Sequence, residues 1–459
     1  MGTRVGVCLA LGAPLLLSSC SGGTGTPSDS APRAHPSPAS AVAKLSDFNG
    51  DGRTDIAVTA QDSTTVRVYN GSNAKVSAVF TPHSSRMPRG IREAEGLDEL
   101  VSGDLDRDGY ADLVFHARGD EIPDEHNVVV LWGGLSGLNG AASYLQHLPA
   151  LSAKQRRMTS DPDTSVEPDS DVNHTMGLQM GNFDGDQNID LMRFSDGSGP
   201  SELFHGPFKR TGAARYVTPT RAFGAREGDS LAVLSLANRP GDDPNLGIVT
   251  IDEPDSRGKQ TTAWYPFTEG ARSGRQQLPT ATAASPGDID CDGQEDLVLV
   301  EGSLRYEGAE PSVPGGRLSV IYGASDGYGK DRATTHISRD NGGISPFHLE
   351  GAQAVGDVTG DGCADVVVTG DAGRLLLFTG SHTGLHAKAQ TVTTQQLGLR
   401  SVHDGAPNGF GEPRLVDVNG DGNADLVTNP LRDGLGRSVT VVLYGTRTGF
   451  NVDAPLILS

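Results

Sequence analysis

Acidic side chains at alternate positions of a short glycine-bearing segment recur through this chain, and their chemistry is the capture of a hard divalent cation. The clearest copy is Asp47-Phe-Asn49-Gly-Asp51-Gly52-Arg53-Thr-Asp55, followed by the apolar run Ile56-Ala-Val58. Five more copies fit the same nine-residue template. They place Asp104, Asp106, Asp108, Tyr110 and Asp112 at positions one, three, five, seven and nine, then Asn182, Asp184, Asp186, Asn188 and Asp190, then Asp288, Asp290, Asp292, Gln294 and Asp296. The last two carry Asp357, Thr359, Asp361, Cys363 and Asp365, and Asp417, Asn419, Asp421, Asn423 and Asp425. Ca²⁺ takes six to eight oxygens, and carboxylates or amides on a turning loop can converge on it, with a glycine at position six permitting the sharp turn. Side-chain oxygens at positions one, three, five and nine are the candidate ligands, together with the backbone carbonyl of position seven. Water would complete the shell.

An EF-hand loop begins alike but needs a bidentate acid at position twelve and flanking helices. Position twelve here is Val58, Phe115, Leu299, Val368 or Thr428, inside strand-like runs such as Asp296-Leu-Val-Leu-Val300. The EF-hand reading fails there, and zinc fails because the oxygen ligands lack a Cys/His set. Solvated Asp-Gly hairpin turns are the plain alternative, but repetition on one template favours ligation. The copies differ in quality. Thr359 replaces a carboxylate or amide, while the copy at Asn182 has Gln187 in place of the glycine, so four to six structural ions are expected, with the Asn182 copy the weakest.

Such loops need strands to hold them, and their spacing says how many. The copies begin at 47, 104, 182, 288, 357 and 417, and the gap of 106 residues is about twice the shortest. A worn copy fills it, around Ser235 to Thr250, with a strand-like Gly247-Ile-Val-Thr250 and no ligands. Each unit also carries an apolar strand running into a turn: Val66 to Gly71, Val128 to Gly133, Leu203 to Pro207, Trp264 to Phe267, Leu318 to Gly323, Leu375 to Gly380 and Val441 to Gly445. Seven units of about 60 residues, each sufficient for four short strands, predict an all-β, seven-bladed β-propeller with cation loops between first and second strands. The loops are numbered 1 to 7 below, loop 4 being the worn one.

These residues resemble the FG-GAP or VCBS repeat family, which includes the N-terminal propeller of integrin alpha subunits and many bacterial surface proteins. The resemblance extends over 42–459 and implies Ca²⁺ at the ligand positions named above. The integrin-type Phe-Gly…Gly-Ala-Pro phrase is eroded to remnants such as Thr428-Asn-Pro430, so integrin-like ligand recognition does not carry over.

Residues 1–19, with Arg4 and an apolar stretch to Leu17, read as a secretion signal too short to span a membrane. Leu17-Ser-Ser-Cys20 looks like a bacterial lipobox, which would make Cys20 the lipidated residue and the membrane contact a lipid anchor only. Residues 20–41, rich in Ser, Pro, Gly and Thr, then form a tether with a reach on the order of 25 Å. Localisation at a bacterial cell surface follows. The formal charge is −21, much of it in the loops, and no basic stripe suggests nucleic acid. Cys291 at position four of loop 5 and Cys363 at position seven of loop 6 are a candidate interblade disulfide.

Long connections such as 82–98, 116–127, 150–174, 301–316, 332–350 and 399–411 fall at the end opposite the acidic loops, where a partner would bind. Arg118-Gly119-Asp120 lies there and is expected by chance in so Gly- and Asp-rich a chain. Gly323-Ala-Ser325-Asp-Gly327 matches a nucleophile-elbow pattern, but the equivalent Gly380-Ser-His-Thr-Gly384 and Gly445-Thr-Arg-Thr-Gly449 mark it as turn variation. His116, His126, His174 and His348 are expected to be solvated. The expected protein is a monomeric, non-catalytic binding or adhesion module for a surface protein or glycan; the alternative is an extracytoplasmic carbohydrate-active enzyme or lectin using the upper face.

Overall fold

The computed structural model describes residues 46–60, 64–71, 73–119, 127–138, 141–145, 175–183, 186, 188–195, 201–220, 230–234, 247–251, 262–268, 271–272, 276–281, 283–301, 317–324, 327–329, 334–338, 353–370, 374–399, 410, 412–432 and 438–458. The chain divides into two parts, Met1–Ser37 and Pro38–Ser459, and every described residue belongs to the second. The expected signal, Cys20 and the whole tether of 20–41 lie outside the described residues. Among these there is no α-helix, and the strands are joined into antiparallel sheets.

Unit 2 sets the pattern: Gly96–Gly103, Asp112–Arg118, Val128–Leu131 and Ser143–Tyr144 pair in sequence order. Unit 3 follows with Thr175–Gly181, Asp190–Ser195, Ser201–His205 and Tyr216–Thr220, and unit 5 with Ala283–Gly287, Asp296–Glu301, Arg317–Ile321 and Thr335–Ser338. Unit 6 has Gln353–Gly356, Asp365–Gly370, Arg374–Phe378 and Gln390–Thr393; unit 7 has Glu412–Val416, Asp425–Arg432, Ser438–Leu443 and Leu456–Leu458. In unit 4, where the loop is worn, Ser230–Leu234, Gly247–Ile251, Thr262–Thr268 and Gln276–Leu278 still form the sheet, with Ala271–Arg272 added. The C-terminal Leu456–Leu458 is the outer strand of its own sheet, paired to Thr440–Val442.

The chain is an all-β propeller, and among the described residues it has six blades rather than the seven expected. Six sheets have four or five strands, whereas the first, Ile56–Thr59, Val66–Tyr69 and Val76–Phe80, has three. In every other acidic-loop unit the loop is preceded by an inner strand. In unit 1 the residues before loop 1 lie outside the described residues.

Why the second strands are continuous apolar runs is plain from their surroundings. Successive strand residues point to opposite faces, and the sheets of units 5, 6, 7, 1 and 2 are covered on both. Leu297 and Leu299 join a cluster with Trp264 and Leu278 of unit 4, while Val298 and Val300 join one with Val366 and Val368 of unit 6. Val367 in turn packs with Leu426 of unit 7. The same parity closes the first unit on the last: Ile56 and Val58 pack with Val427, Val442 and Leu458. Phe48, Val66 and Phe80 then meet Leu113 and Phe115 of unit 2, and Val114 meets Leu191 and Phe204 of unit 3. A strand buried on both faces loses the polar alternation of a half-exposed one. His116 is an instance: it lies on such a strand and is 8% exposed, so it is a buried residue rather than the solvated one expected.

Candidate metal centres at one end of the sheets

The acidic loops form one repeated turn. The position-one carboxylate caps it: Asp47 accepts from the N–H groups of Gly50 (2.8 Å), Asp51 (3.2 Å) and Gly52 (2.9 Å). Asp417 accepts from Gly420, Asp421 and Gly422 at 2.7, 3.1 and 3.0 Å, and Asp357 from Gly360, Asp361 and Gly362 at 2.6, 3.1 and 2.8 Å. Asp104 and Asp288 accept from the amides of positions five and six. Position five then accepts from position seven, as Asp51 does from Arg53 at 3.0 Å and Asp421 from Asn423 at 2.8 Å. Position six needs a left-handed backbone, with φ of 84° at Gly52, 89° at Gly109, 91° at Gly293 and Gly362 and 92° at Gly422, which is glycine's territory.

Position nine has a second task that the spacing did not reveal. Asp112 accepts from Leu105 N–H (2.9 Å) with one oxygen and from Gly133 N–H (2.9 Å) with the other. Asp55, Asp190, Asp296, Asp365 and Asp425 do the same with Phe48 and Gly71, Phe183 and Gly206, Ile289 and Gly323, Val358 and Gly380, and Val418 and Gly445. Each carboxylate thus staples its own loop to the end of the third strand. That partner must be glycine: a Cβ on Gly71 or Gly133 would lie 2.1 Å from the carbonyl oxygen of Thr54 or Ala111. The glycine that ends each third strand was the available sequence signal, visible as a turn but not as a hydrogen-bond donor.

Burial makes these staples electrostatically tense. It pushes the Asp112 carboxyl up to about 8, Asp296 to about 7, and Asp55, Asp365 and Asp425 to about 6, against the backbone hydrogen bonds that oppose the shift. In loop 5, oxygens of Asp288, Asp290 and Asp296 lie within 4.8 Å of one another, as do those of Asp104, Asp106 and Asp108 in loop 2. At that spacing two carboxylates repel by about 3.5 kcal/mol if the effective dielectric is about 20. A cation relieves this.

The donor sets fit a hard divalent ion. Loop 5 brings three carboxylates together, and in loop 6 the Thr359 hydroxyl at position three is buried without a hydrogen-bond partner. Loops 1 and 7 repeat the turn with Asn49 and Asn419 at position three, each accepting from the position-five amide at 2.8 Å. In loop 3, Asp184 and Gln187 lie outside the described residues; Asp186 meets Arg215 at 3.1 Å. In loop 2, Arg210 of unit 3 donates to Asp106 Oδ2 (2.6 Å) through Nε and to Asp108 Oδ2 through Nη2.

The loops also touch one another by rule, position four of one against position seven of the next. Tyr110 covers Gly50, Arg107 donates to Asn188 Oδ1 (3.1 Å), Asn423 covers Gly360, and Arg53 packs on Gly420 and donates to Asn419 O (3.1 Å). Cys291 and Cys363 occupy the same pair of positions and form a disulfide with Cα atoms 4.8 Å apart. Backbone bonds run beside them: Ala111 N–H to Asp47 O (2.9 Å), Ala364 to Asp288 (2.8 Å) and Ala424 to Asp357 (2.6 Å). The side chains of position seven, nominated for their carbonyls and, at Cys363, for a disulfide, are therefore interblade contacts.

At the opposite end little is described. Asp120, His126, His174, His348 and Ser325 lie outside the described residues. Gly323–Ala324 and Gly327–Tyr328, on either side of 325–326, pair antiparallel, as Gly445–Thr446 and Gly449–Phe450 do.

Sheets stacked face to face round a ring, with acidic turn loops entering their second strands, define a β-propeller of repeats. Residues 47–115 and 357–428 match the model of the FG-GAP-like repeat. These two stretches carry FG-GAP-like repeats, set within a β-propeller. No curated protein matches it. Similar solved structures include BBS1N in complex with ARL6DN, 11% identical over 90% of this chain and 93% of that one, with a TM-score of 0.44. The exotype rhamnogalacturonan lyase YesX is 14% identical over 89% of this chain and 72% of that one, with a TM-score of 0.44. AofleA from Arthrobotrys oligospora is 14% identical over 77% of this chain and 86% of that one, with a TM-score of 0.39.

Proposed function

We propose that the chain is a calcium-stabilised, lipid-anchored propeller that serves as a binding module for a surface protein or glycan outside the cell. In this reading the three-stranded unit 1 packs on unit 7 as unit 7 packs on unit 6. The observation that carries the reading is the interlocking of the acidic loops. Their carboxylates cap their own turns and their side chains bind the neighbouring loop, so the cations they would hold join blades rather than substrate.

Loops 1, 5, 6 and 7 would hold calcium through Asp47, Asn49, Asp51 and Asp55 and their equivalents. Binding restricted to the folded state adds stability by mass action. With one end of the propeller committed to architecture, the long connections at the other end are the surface left for recognition. Anchoring through Cys20 would hold that surface beyond the membrane on a tether of 20–41.

The test is a glycan array and a cross-linked pull-down from intact cells, both with the soluble chain beginning after Cys20, with and without Ca²⁺. Saturable binding to one protein or glycan, lost on chelation together with the melting transition, supports the module. Turnover of a polysaccharide by the same chain would favour the carbohydrate-active alternative. Saturable binding by a chain that holds no Ca²⁺ would refute the structural role given to the metal.

A further inference from the structure

We propose that loop 2 takes its positive charge from Arg210 rather than from a metal ion, so that this one complete acidic loop is independent of calcium. The proposal rests on the calcium reading of the other loops and makes an exception within it.

Arg210 is presented by a built turn, not by a loose side chain. Phe208 is buried among Leu105, Val114 and Phe204 and donates its N–H to Leu105 O (2.8 Å), which ties the turn to loop 2 itself. Lys209 and Gly212 close the turn through bonds of 2.8 Å to Ala213 O and Lys209 O. Gly212 sits at φ 83°, where a Cβ would lie 1.8 Å from Tyr144 O, so the turn is pressed against unit 2 at a second point. From there one edge of the guanidinium meets two different carboxylates: Nε donates to Asp106 Oδ2 (2.6 Å), and Nη2 to Asp108 Oδ2 and to Gly133 O (3.0 Å). Gly133 is the residue whose N–H binds Asp112. Arg210 thus spans positions three and five and the staple partner of position nine.

A guanidinium is a planar, permanently charged donor and suits such bridging. It also occupies oxygens that a metal would need. Position three has one oxygen on Arg210, and position five has one on Arg210 and the other on Tyr110 N–H (3.0 Å). Only Asp106 Oδ1 is left buried without a partner. The position-five acids Asp51, Asp292, Asp361 and Asp421 meet no basic side chain among the described residues. The sequence carries no signal for this exchange: loop 2 is a complete copy of the template, and its cation lies about a hundred residues further on, in another blade.

The experiment is the bound Ca²⁺ count per chain, by equilibrium dialysis with elemental analysis, in wild type, Arg210→Gln, Arg210→Lys and Asp108→Asn. Arg210→Gln should gain one ion over wild type, because Asp106 and Asp108 regain free oxygens, and the gain should vanish in Arg210→Gln with Asp108→Asn. Arg210→Lys should keep the wild-type count. Asp108→Asn alone, which leaves the cap and the staple in place, should also leave the count unchanged. Loss of one ion in Asp108→Asn, or no gain in a folded Arg210→Gln, overturns the proposal. A wild type without calcium and an Arg210→Gln that gains one ion would sink the general calcium reading while upholding this exception.

Discussion

Loops 5, 6, 7 and 1 form one arc of the ring and loops 2 and 3 another, and the two treat the same acidic template differently. In the first arc the position-five carboxylates face no basic group among the described residues. In the second, Asp108 and Asp186 each meet an arginine, and both arginines, Arg210 and Arg215, come from one stretch of unit 3. The turn, its cap and its staple are common to both arcs; what differs is whether the charge is met from outside the chain or from inside it. On the proposed reading, a repeat keeps its architecture while exchanging its counter-ion.

Chelation should give the largest effect and the clearest contrast. At free calcium about a hundredfold above the dissociation constant, each occupied site adds about 2.7 kcal/mol. Removing the metal should therefore lower the melting temperature sharply, with Ca²⁺ but not Na⁺ restoring it. Removing the disulfide probes the same arc by a route other than the metal. Cys291→Ser with Cys363→Ser opens a closure across 72 residues and should cost about 3 to 4 kcal/mol by chemical denaturation. The loss should grow when calcium is also withdrawn, because both latch loop 5 to loop 6.

The staple should be indifferent to the arc. Gly133→Ala and Gly445→Ala each bring a Cβ against a backbone carbonyl, at 2.1 and 2.4 Å, and each should cost about 3 kcal/mol with or without calcium. Unequal costs would mean the shared architecture is not shared. Next comes pH. The folded carboxyls of Asp112 and Asp296 are raised to about 8 and 7, so between pH 4 and these values the folded chain binds more protons than the unfolded one. The stability this gives is fully present at low pH and is lost as pH rises through 6 to 8. Chelated protein should accordingly melt higher at pH 5.5 than at pH 8, and calcium should flatten or reverse the trend. The smallest change is expected from Arg215→Gln, at an exposed pair, roughly 0.5 kcal/mol and insensitive to chelation.

Much of this was legible in the sequence because repetition leaves marks at fixed spacing. The second strands, the third strands and even the worn unit at Gly247–Ile251 fall where the template puts them. The disulfide partners stood on equivalent loops. Three things were hidden, each for a physical reason. The first sheet has three strands among the described residues, and the Pro-rich sequence before Ala41 carries no strand pattern from which its size could be read. The dual role of position nine depends on a glycine 15 to 27 residues later whose turn looks ordinary. The Arg210 clamp depends on a contact between residues 102 and 104 positions apart, made by a residue type that is common on surfaces. His116 was misjudged because an imidazole in a strand buried on both faces has no polar alternation to announce it.

Hydrogen exchange with and without chelator on the full chain compares the two arcs most directly. Peptides covering 47–55, 288–296, 357–365 and 417–425 should lose protection when calcium is removed, while a peptide covering 104–112, held by Arg210, should keep its protection. Equal deprotection of 104–112, or no change in any of the loops, would contradict the account.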